Sequence, residues 1–470
     1  YNITEVEKKE RGTEVVLHIA EESKDFLQEA KVKELLDKYC KFLPIPIKFG
    51  TTSKTEKDED GNEVEVIEDK IINNTSPLWT KLPVDSKEEE YKKFYKELYP
   101  YSTNDPLFWI HLNIDYPFYL TGILYFPKFT KESTIQKDRI KLYSNQVFVT
   151  DQLEEVIPKW LVMLEGVIDS PDIPLNVSRS MLQSDRNVKK IGNYITKKIA
   201  DKLEELFKTD QKVFEKQWKD IKMVVQYGMI WDEKFFERAR TFCLLKNTED
   251  KFFTLDQYKQ HIENLQTDKN DKLIYIYTTD SNEQHSFIES AKKKGYDVLC
   301  MDEDIDIHFI DKLEKELDKV SFVRVDADTL DKLIDKDEET VSQLSKKEEE
   351  ELKSIIEENI DRQQFTVSIV SMDSNDYPMT ITKPEFNRRM QSMNGFQISA
   401  MQGIGGFGGL NQLVVNMNHP LMLKILKSKS KKNRQKYVKQ CLDLALLLQN
   451  MLKGESLTSF VNRSVELIKA

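Results

Sequence analysis

The stretch DKLIYIYTTDSNEQHSFIESAKKKGYDVLCM, Asp271 to Met301, carries two periodicities in one short span. Leu273–Tyr277 and Tyr296–Met301 are apolar runs of strand length, and between them Phe287–Lys294 reads as a polar-amphipathic helix. This alternation continues to Asp335 and predicts a small α/β unit, residues 266–340. Before it, Gln152–Phe242 is mostly helical: Ile191, Ile195, Ile199, Leu203 and Leu206 form one nearly continuous face within Val188–Phe207.

Further upstream the mixture returns. Thr13–Ile19 (TEVVLHI) is a β-branched run with strand character, followed by a helical pattern through Phe26, Val32, Leu35 and Leu36. Ile45, Ile47 and Phe49 alternate as a strand. Asp60-Gly61, between charged flanks and ahead of Val64, Val66 and Ile71, signals a hairpin. Tyr91, Phe94, Tyr95 and Leu98 recur at i, i+3, i+4 and i+7, which predicts a helix over Lys87–Leu98. Strands are expected at Phe118–Phe126 and Ile140–Val149. The result is a larger α/β layer unit, residues 21–150, joined to the small unit by a helical connector, 151–265.

Downstream, the charge run SQLSKKEEEE (Ser342–Glu351) marks a boundary, as a solvated helix face or linker, and opens a last region, 341–470. Phe365–Val370 reads as a strand and Pro384–Met393 as a helix, and two long helices, Lys431–Leu452 and Ser456–Lys469, close the chain. Leu457, Phe460, Val461, Ser464, Val465 and Ile468 fall on one stripe. With so little chain left to cover it, such a helix pair invites a second copy, and Cys441, Leu442 and Ala445 join Leu457, Phe460, Val461, Val465 and Ile468 as the expected dimer interface. The fold class is a multidomain α/β (α+β) protein with a mixed, helix-paired C-terminal region.

Composition narrows the function. Of 470 residues, 39% are hydrophobic and 10% aromatic, too many for a disordered chain, and at ~150 residues per domain the length corresponds to about three domains. A net charge of -11 argues against a dedicated nucleic-acid binder. No run reaches the ~18 uninterrupted apolar residues of a membrane span; the richest, Leu442–Leu452, is broken by Asp443, Gln449 and Asn450. Cys40, Cys243, Cys300 and Cys441 form no C-x-x-C pair and fit a reducing compartment, and the six histidines contain no H-E-x-x-H, so no metal site is expected. The chain opens on Tyr1 with no signal-peptide pattern in Tyr1–Gly12, which suggests a fragment of a longer protein.

Three motifs carry alternatives. Gly403, Gly405 and Gly408 match G-x-G-x-x-G but follow no buried strand, so a flexible linker is the better account. In DSPDIPLNVSRSMLQ, Asp169–Gln183, Ser178 is a candidate N-cap that puts Arg179 at a helix start. That arginine is either salt-bridged structure or a guanidinium poised for a transferring phosphoryl group. Trp79, Trp109 and Trp160 suit core packing as well as binding. Phe386, Met390 and Met393, at i, i+4 and i+7, are either core or an adaptable apolar stripe for varied partners.

Several segments together resemble the 90-kDa heat-shock chaperone family in its bacterial high-temperature protein G branch: RGTEVVLHI (Arg11–Ile19), SPLWTK (Ser76–Lys81), EEYKKFYK (Glu89–Lys96) and NDPLFW (Asn104–Trp109). LYFPK (Leu124–Lys128), KLYSNQVFVTD (Lys141–Asp151), IPKWLVMLEGVIDSPDIPLNVSRSMLQ (Ile157–Gln183) and KKKGYDVLCM (Lys292–Met301) continue the likeness. The likeness runs over essentially the whole chain. It implies that residues 1–20 are the last strand of an N-terminal ATPase domain, 21–340 a middle domain and 341–470 a C-terminal dimerisation domain.

The resemblance also implies roles. Arg179 would reach the γ-phosphate of ATP, with Gln183 on the same catalytic loop, while Ser180 departs from the glutamate common after that arginine. Thr13 would line the adenine pocket, and Phe148 would dock on the ATPase domain. ATP with Mg²⁺ would be bound mainly by that domain, so this chain alone is not expected to hydrolyse it. Client polypeptides would meet Trp79, Phe386, Met390 and Met393. His308 stands where bacterial relatives carry a client-facing tryptophan, with Phe309 as its substitute.

The implied protein is a cytoplasmic, ATP-dependent homodimeric chaperone of unfolded proteins. The chain ends in Ile468-Lys469-Ala470, without the acidic pentapeptide that recruits tetratricopeptide co-chaperones, so none is expected. The alternatives are an ATP-independent holdase or binding module, and an α/β metabolic enzyme, for which no convergent acid, base or metal set is visible.

Overall fold

A strand needs a neighbour, and the run Thr13–Ile19 has none among the described residues. No strand forms there, and Val15, Val16 and Leu17 are 74%, 67% and 75% exposed. The fold is that of a computed structural model, which describes every residue except 1, 2, 6, 10, 58–62, 129–139, 152, 154–157, 174–185, 337–340, 384–410 and 470. The chain forms two compact units, Tyr1–Ile199 and Ala200–Ala470.

The first unit begins with a 3₁₀ turn, Glu21–Leu27, and α1 (Glu29–Tyr39), neither of which buries a residue. The strand expected at Ile45–Phe49 starts later. β1 (Lys48–Lys57) pairs antiparallel with β2 (Glu63–Ile71), the hairpin signalled by Asp60-Gly61, while Ile45 remains exposed. In α2 (Glu88–Leu98), the Lys87 N–H donates to the Glu90 carboxylate at 2.9 Å, and all four predicted core positions, Tyr91, Phe94, Tyr95 and Leu98, are buried.

A five-stranded sheet follows. Its strands are β3 (Phe108–Ile114), β4 (Leu120–Phe126), β5 (Ile140–Ser144), β6 (Val147–Thr150) and β7 (Glu165–Asp169), in the order β3-β4-β7-β5-β6. β5 and β6 turn at Asn145 and Gln146, both at positive φ, as a tight two-residue hairpin requires. β7 is the central strand, antiparallel to β4 and parallel to β5. This corrects the helical reading that began at residue 151: the sheet of the large unit takes its middle strand from beyond that point.

The β4–β7 pairing rests on two glycines. A Cβ on Gly166 would stand 2.0 Å from the Ile123 carbonyl oxygen, and one on Gly122 would stand 2.4 Å from that of Val167. Gly166 also has φ of +138°, a backbone state that a side chain strains. The Tyr99 hydroxyl accepts its N–H at 2.6 Å.

α3 (Arg186–Thr209) carries the predicted face, with Ile191, Ile195, Ile199 and Leu203 buried, and the division between the units falls within it. In the second unit, α4 (Gln211–Trp231) and α5 (Glu233–Ala239) are capped by Asp210 and Asp232, whose side chains accept from Val213 and Phe235 N–H. β8 (Leu244–Lys246), β9 (Phe252–Thr254) and α6 (Leu255–Ile262) lead into the predicted alternation. There, β10 (Leu273–Thr278), α7 (His285–Lys293), β11 (Val298–Cys300), α8 (Ile305–Glu316), β12 (Val320–Arg324) and α9 (Leu330–Leu333) form a parallel sheet in the order β11-β10-β12 with its helices. Asp306 of α8 is fully buried but bonded to Lys222 and Gln226 of α4, each at 2.8 Å.

The charge run becomes α10 (Lys346–Glu357). Ser345 caps it, Glu348 accepts the Ser345 N–H at 2.9 Å, and Leu352, Ile355 and Ile356 are buried. β13 (Phe365–Val370), β14 (Met379–Thr382) and β15 (Asn411–Asn416) form a mixed sheet in the order β13-β15-β14. On it pack α11 (Pro420–Lys427) and α12 (Lys431–Leu448), and α13 (Gly454–Lys469) packs on α12. No helix among the described residues is long and apolar enough to cross a membrane.

The glycine contact gives a direct test. Gly166→Ala should lower stability by more than ~3 kcal/mol in urea denaturation, because it adds backbone strain and a steric clash in a central strand. A loss below ~1 kcal/mol would show that the two strands can part without cost.

Candidate functional site

The segment holding Arg179 and Gln183 leaves the sheet at the C-terminal end of β7. Glu165, Val167 and Asp169 share one face of that strand, and both acids are buried, at 3% and 6% exposure. Glu165 accepts from the Tyr95 hydroxyl at 2.5 Å. Asp169 Oδ2 accepts from Trp79 Nε1 at 3.1 Å and from the Gln146 N–H at 2.9 Å. Burial pushes the Asp169 carboxyl above its ordinary range, and the donors from Gln146 and Trp79 oppose that rise without cancelling it. Beside it, Tyr119, Asn145, Gln146 and Pro171 line an open cleft at the ends of the parallel pair β5 and β7. The sequence reading passed over both acids, although their spacing of i and i+4 around Val167 puts them on the strand's apolar face.

Trp79 lies in the aromatic core, which corrects the expectation of a client contact. It is 0% exposed, 4.8 Å from Phe42 and 5.2 Å from Tyr143 between ring centroids. An indole needs both apolar contact and a partner for its N–H, and the interior supplies both. Phe309 is also 0% exposed, so it presents no surface that could replace a client-facing tryptophan, whereas its neighbour His308 on α8 is exposed.

Phe148 is half-buried on β6 and meets Tyr39 and Tyr143 edge-on at 5.6 and 5.7 Å. Thr13 is exposed. Arg179, Ser180, Gln183, Phe386, Met390, Met393 and the glycines Gly403, Gly405 and Gly408 lie outside the described residues. Among the described residues, no group of three His, Cys, Asp or Glu could hold a metal ion.

The terminal helices divide the expected interface in two. Cys441 and Ala445 are buried in this chain's own core, where burial lifts the Cys441 thiol to about 11, and Leu442 packs half-buried against the same cluster. Phe460 is 9% exposed. These four therefore do not form an outward face in the single chain. The remaining four do: Leu457, Val461, Val465 and Ile468 are 36%, 49%, 45% and 85% exposed. Leu444 and Leu447 of α12, absent from the sequence reading, are exposed as well. Between the helices, Arg463 bonds Asp443 and donates to Gln440 Oε1 at 2.7 Å.

Comparison with known proteins gives this architecture a family. The model described as "Hsp90 protein" matches residues 54–469. The chain therefore belongs to the Hsp90 family. It is 42% identical to "Chaperone protein htpG" of Bacteroides fragilis (strain 638R), a match covering 100% of this chain and 78% of that protein. It is 47% identical to "Chaperone protein HtpG" of Porphyromonas gingivalis (strain ATCC 33277), over 91% of this chain and 62% of that one. A more distant relative, "Chaperone protein HtpG" of Clostridium perfringens (strain 13 / Type A), is 30% identical over 100% of this chain and 75% of its own.

Asp169 sets a pH dependence. Because its native pKa is raised, its contribution to stability is full below the ordinary carboxylate value and is lost as pH rises through the raised one. The stability of Asp169→Asn relative to the unsubstituted chain should therefore improve from about pH 4 to about pH 7 in parallel urea titrations. A difference that stays constant with pH would show that the buried carboxyl does not titrate in that window.

Proposed function

We propose that this chain works in an ATP-driven molecular chaperone, as the part that completes ATP hydrolysis, meets client polypeptides and joins two copies into a homodimer. The observation that carries this reading is membership of the Hsp90 family, over residues 54–469, with chain-wide likeness to proteins named HtpG chaperones. ATP, bound with Mg²⁺, supplies the phosphoanhydride bond whose hydrolysis drives the cycle. Thr13 is exposed on a stretch without a strand partner, and the described residues form no metal-ligand group. In this reading Thr13, Arg179 and Gln183 would supply one side of a shared nucleotide site, and an ATP-binding domain of the family the other.

On that side, Arg179 has the decisive role. Its guanidinium presents charge and paired N–H donors to γ-phosphate oxygens, where negative charge is redistributed in the transition state. Gln183 adds a neutral donor from the same loop. A preorganised cation of this kind acts on turnover and not on ground-state binding. In the protein carrying the ATP-binding domain, Arg179→Ala should lower kcat by ~10²-fold or more with KM for ATP nearly unchanged. Near-normal hydrolysis would return Arg179 to a structural ion pair. If that variant suppressed client aggregation as well as the parent, with and without ATP, the chaperone would be an ATP-independent holdase.

Assembly follows from the outward stripe Leu457, Val461, Val465 and Ile468 with Leu444 and Leu447. Its six apolar side chains lie on neighbouring helices, and a second copy would cover them as a two-fold four-helix contact. Sedimentation at micromolar concentration should give about twice 55.2 kDa. The double substitution Val461→Asp with Val465→Asp should yield a monomer that remains folded, since both side chains face solvent in the single chain. A dimer surviving it would locate the contact elsewhere.

A further inference from the structure

In the second unit, α4, the β8–β9 hairpin and the carboxyl ends of β10 and β11 line a cleft of about 830 Å³. That volume falls within the ~300–1,000 Å³ of small-molecule sites, and open α/β sheets take ligands outside the carboxyl ends of their parallel strands. Its cations are of two kinds. Lys246 pairs with Asp250 at 2.6 Å and Lys222 with Asp306 at 2.8 Å, with Asp302 and Glu303 at 3.9 and 3.8 Å from the same ammonium. Lys212, Lys216 and Lys219 line the cleft too, but they are exposed and make no ion pair among the described residues. They stand at i, i+4 and i+7 on one face of α4, where like charges destabilise a helix.

Acceptors complete the lining. Gln226 is 1% exposed, and its Nε2 donates to Asp306 Oδ1 at 2.8 Å, whereas its Oε1 accepts from no described residue. A buried carbonyl oxygen in that position asks for a donor. Asp302, 66% exposed, offers carboxylate oxygens, and Thr248 and Ser281 each bring a hydroxyl. We infer that the cleft binds a polyhydroxylated carbon skeleton carrying two phosphate groups, a ligand of the sugar bisphosphate class. Lys212 and Lys219 are seven residues apart, about 10 Å along the helix, which is wider than one phosphate and suits two held apart by a short carbon chain. Each phosphate brings close to two negative charges for the unpaired ammonium groups. Hydroxyls of the chain donate to Gln226 Oε1 and Asp302. A bare polyphosphate has no such donors and meets Asp302 and Glu303 as like charges, and the same acids disfavour nucleic acid.

Fructose 1,6-bisphosphate is the probe, titrated calorimetrically into the 470-residue chain. It should fill one saturable site. The triple substitution Lys212→Ala, Lys216→Ala and Lys219→Ala should weaken binding by ~10-fold or more, since each exposed charge contact adds modestly and three are lost. A control triple on α3, Lys189→Ala, Lys190→Ala and Lys197→Ala, removes the same charge outside the cleft and should leave the affinity unchanged. All six side chains are exposed, so both variants should keep their fold. Fructose 6-phosphate and inorganic tripolyphosphate should each bind several-fold more weakly than the bisphosphate. Cys300 lines the cleft half-buried, so saturating bisphosphate should slow its labelling by iodoacetamide and leave that of Cys40 unaffected.

Absence of saturable binding overturns the proposal. Equal weakening by the α3 triple overturns it as well, because the attraction would then be that of the whole surface. Unchanged labelling of Cys300 under saturating bisphosphate would place the ligand outside the cleft. Tripolyphosphate binding as tightly as the bisphosphate would reduce the site to a patch of positive charge and overturn the class of ligand.

Discussion

Two carboxylates buried on the central strand govern the first unit. A buried carboxyl group left without hydrogen-bond partners costs free energy, so Glu165 and Asp169 are tolerable only while donors stay on them. Those donors come from three separate places. Tyr95 belongs to α2, Trp79 to the short turn before it, and Gln146 to the β5–β6 hairpin. Each hydrogen bond thus fixes one peripheral element against β7. The aromatic core around Phe42, Phe94 and Tyr143 fills the space between them and excludes the water that would otherwise solvate the acids. Packing and polar satisfaction are one constraint here, and the point at which the chain leaves β7 inherits its position from it.

What was legible in the sequence follows from how much of each element is decided locally. α2, with four aromatic or aliphatic residues at helical spacing, and the β10–α7–β11 alternation were readable because one face of each is uniformly apolar. The last helix, α13, was readable for the same reason. β7 was not, because its five residues include a glycine and two acids, and only the donors of distant segments make those acids compatible with a central strand. Thr13–Ile19 shows the reverse case. Its β-branched residues suit a strand, but a strand is a property of a pair, and no partner stands beside it among the described residues.

Candidate site residues divided along similar lines. The likeness to the chaperone family singled out Trp79 as a surface contact, whereas Asp169 and Phe42 give it interior partners no linear pattern could reveal. Periodicity on the last helices identified an apolar face but not its direction. A helix that packs on the core through Cys441 and Ala445 while exposing Leu444 and Leu447 has apolar residues on both sides, and only the tertiary contacts separate them. Arg179 and Gln183 illustrate a different limit. Nothing but their local motif and its likeness to relatives distinguishes them.

The ion pair between Arg463 and Asp443 has a consequence for how the outward stripe behaves as a surface. Both side chains are largely buried, at 13% and 7% exposure, so separating them would strand a charge in the interior. Rotation of α13 about its own axis would do that. The phase of the helix is therefore locked, and with it the direction in which Leu457, Val461 and Val465 point. Association on such a face loses little conformational entropy beyond that of the side chains, because the backbone has already been ordered by folding. A polar lock on the inner side of the helix makes its apolar outer side a preorganised template.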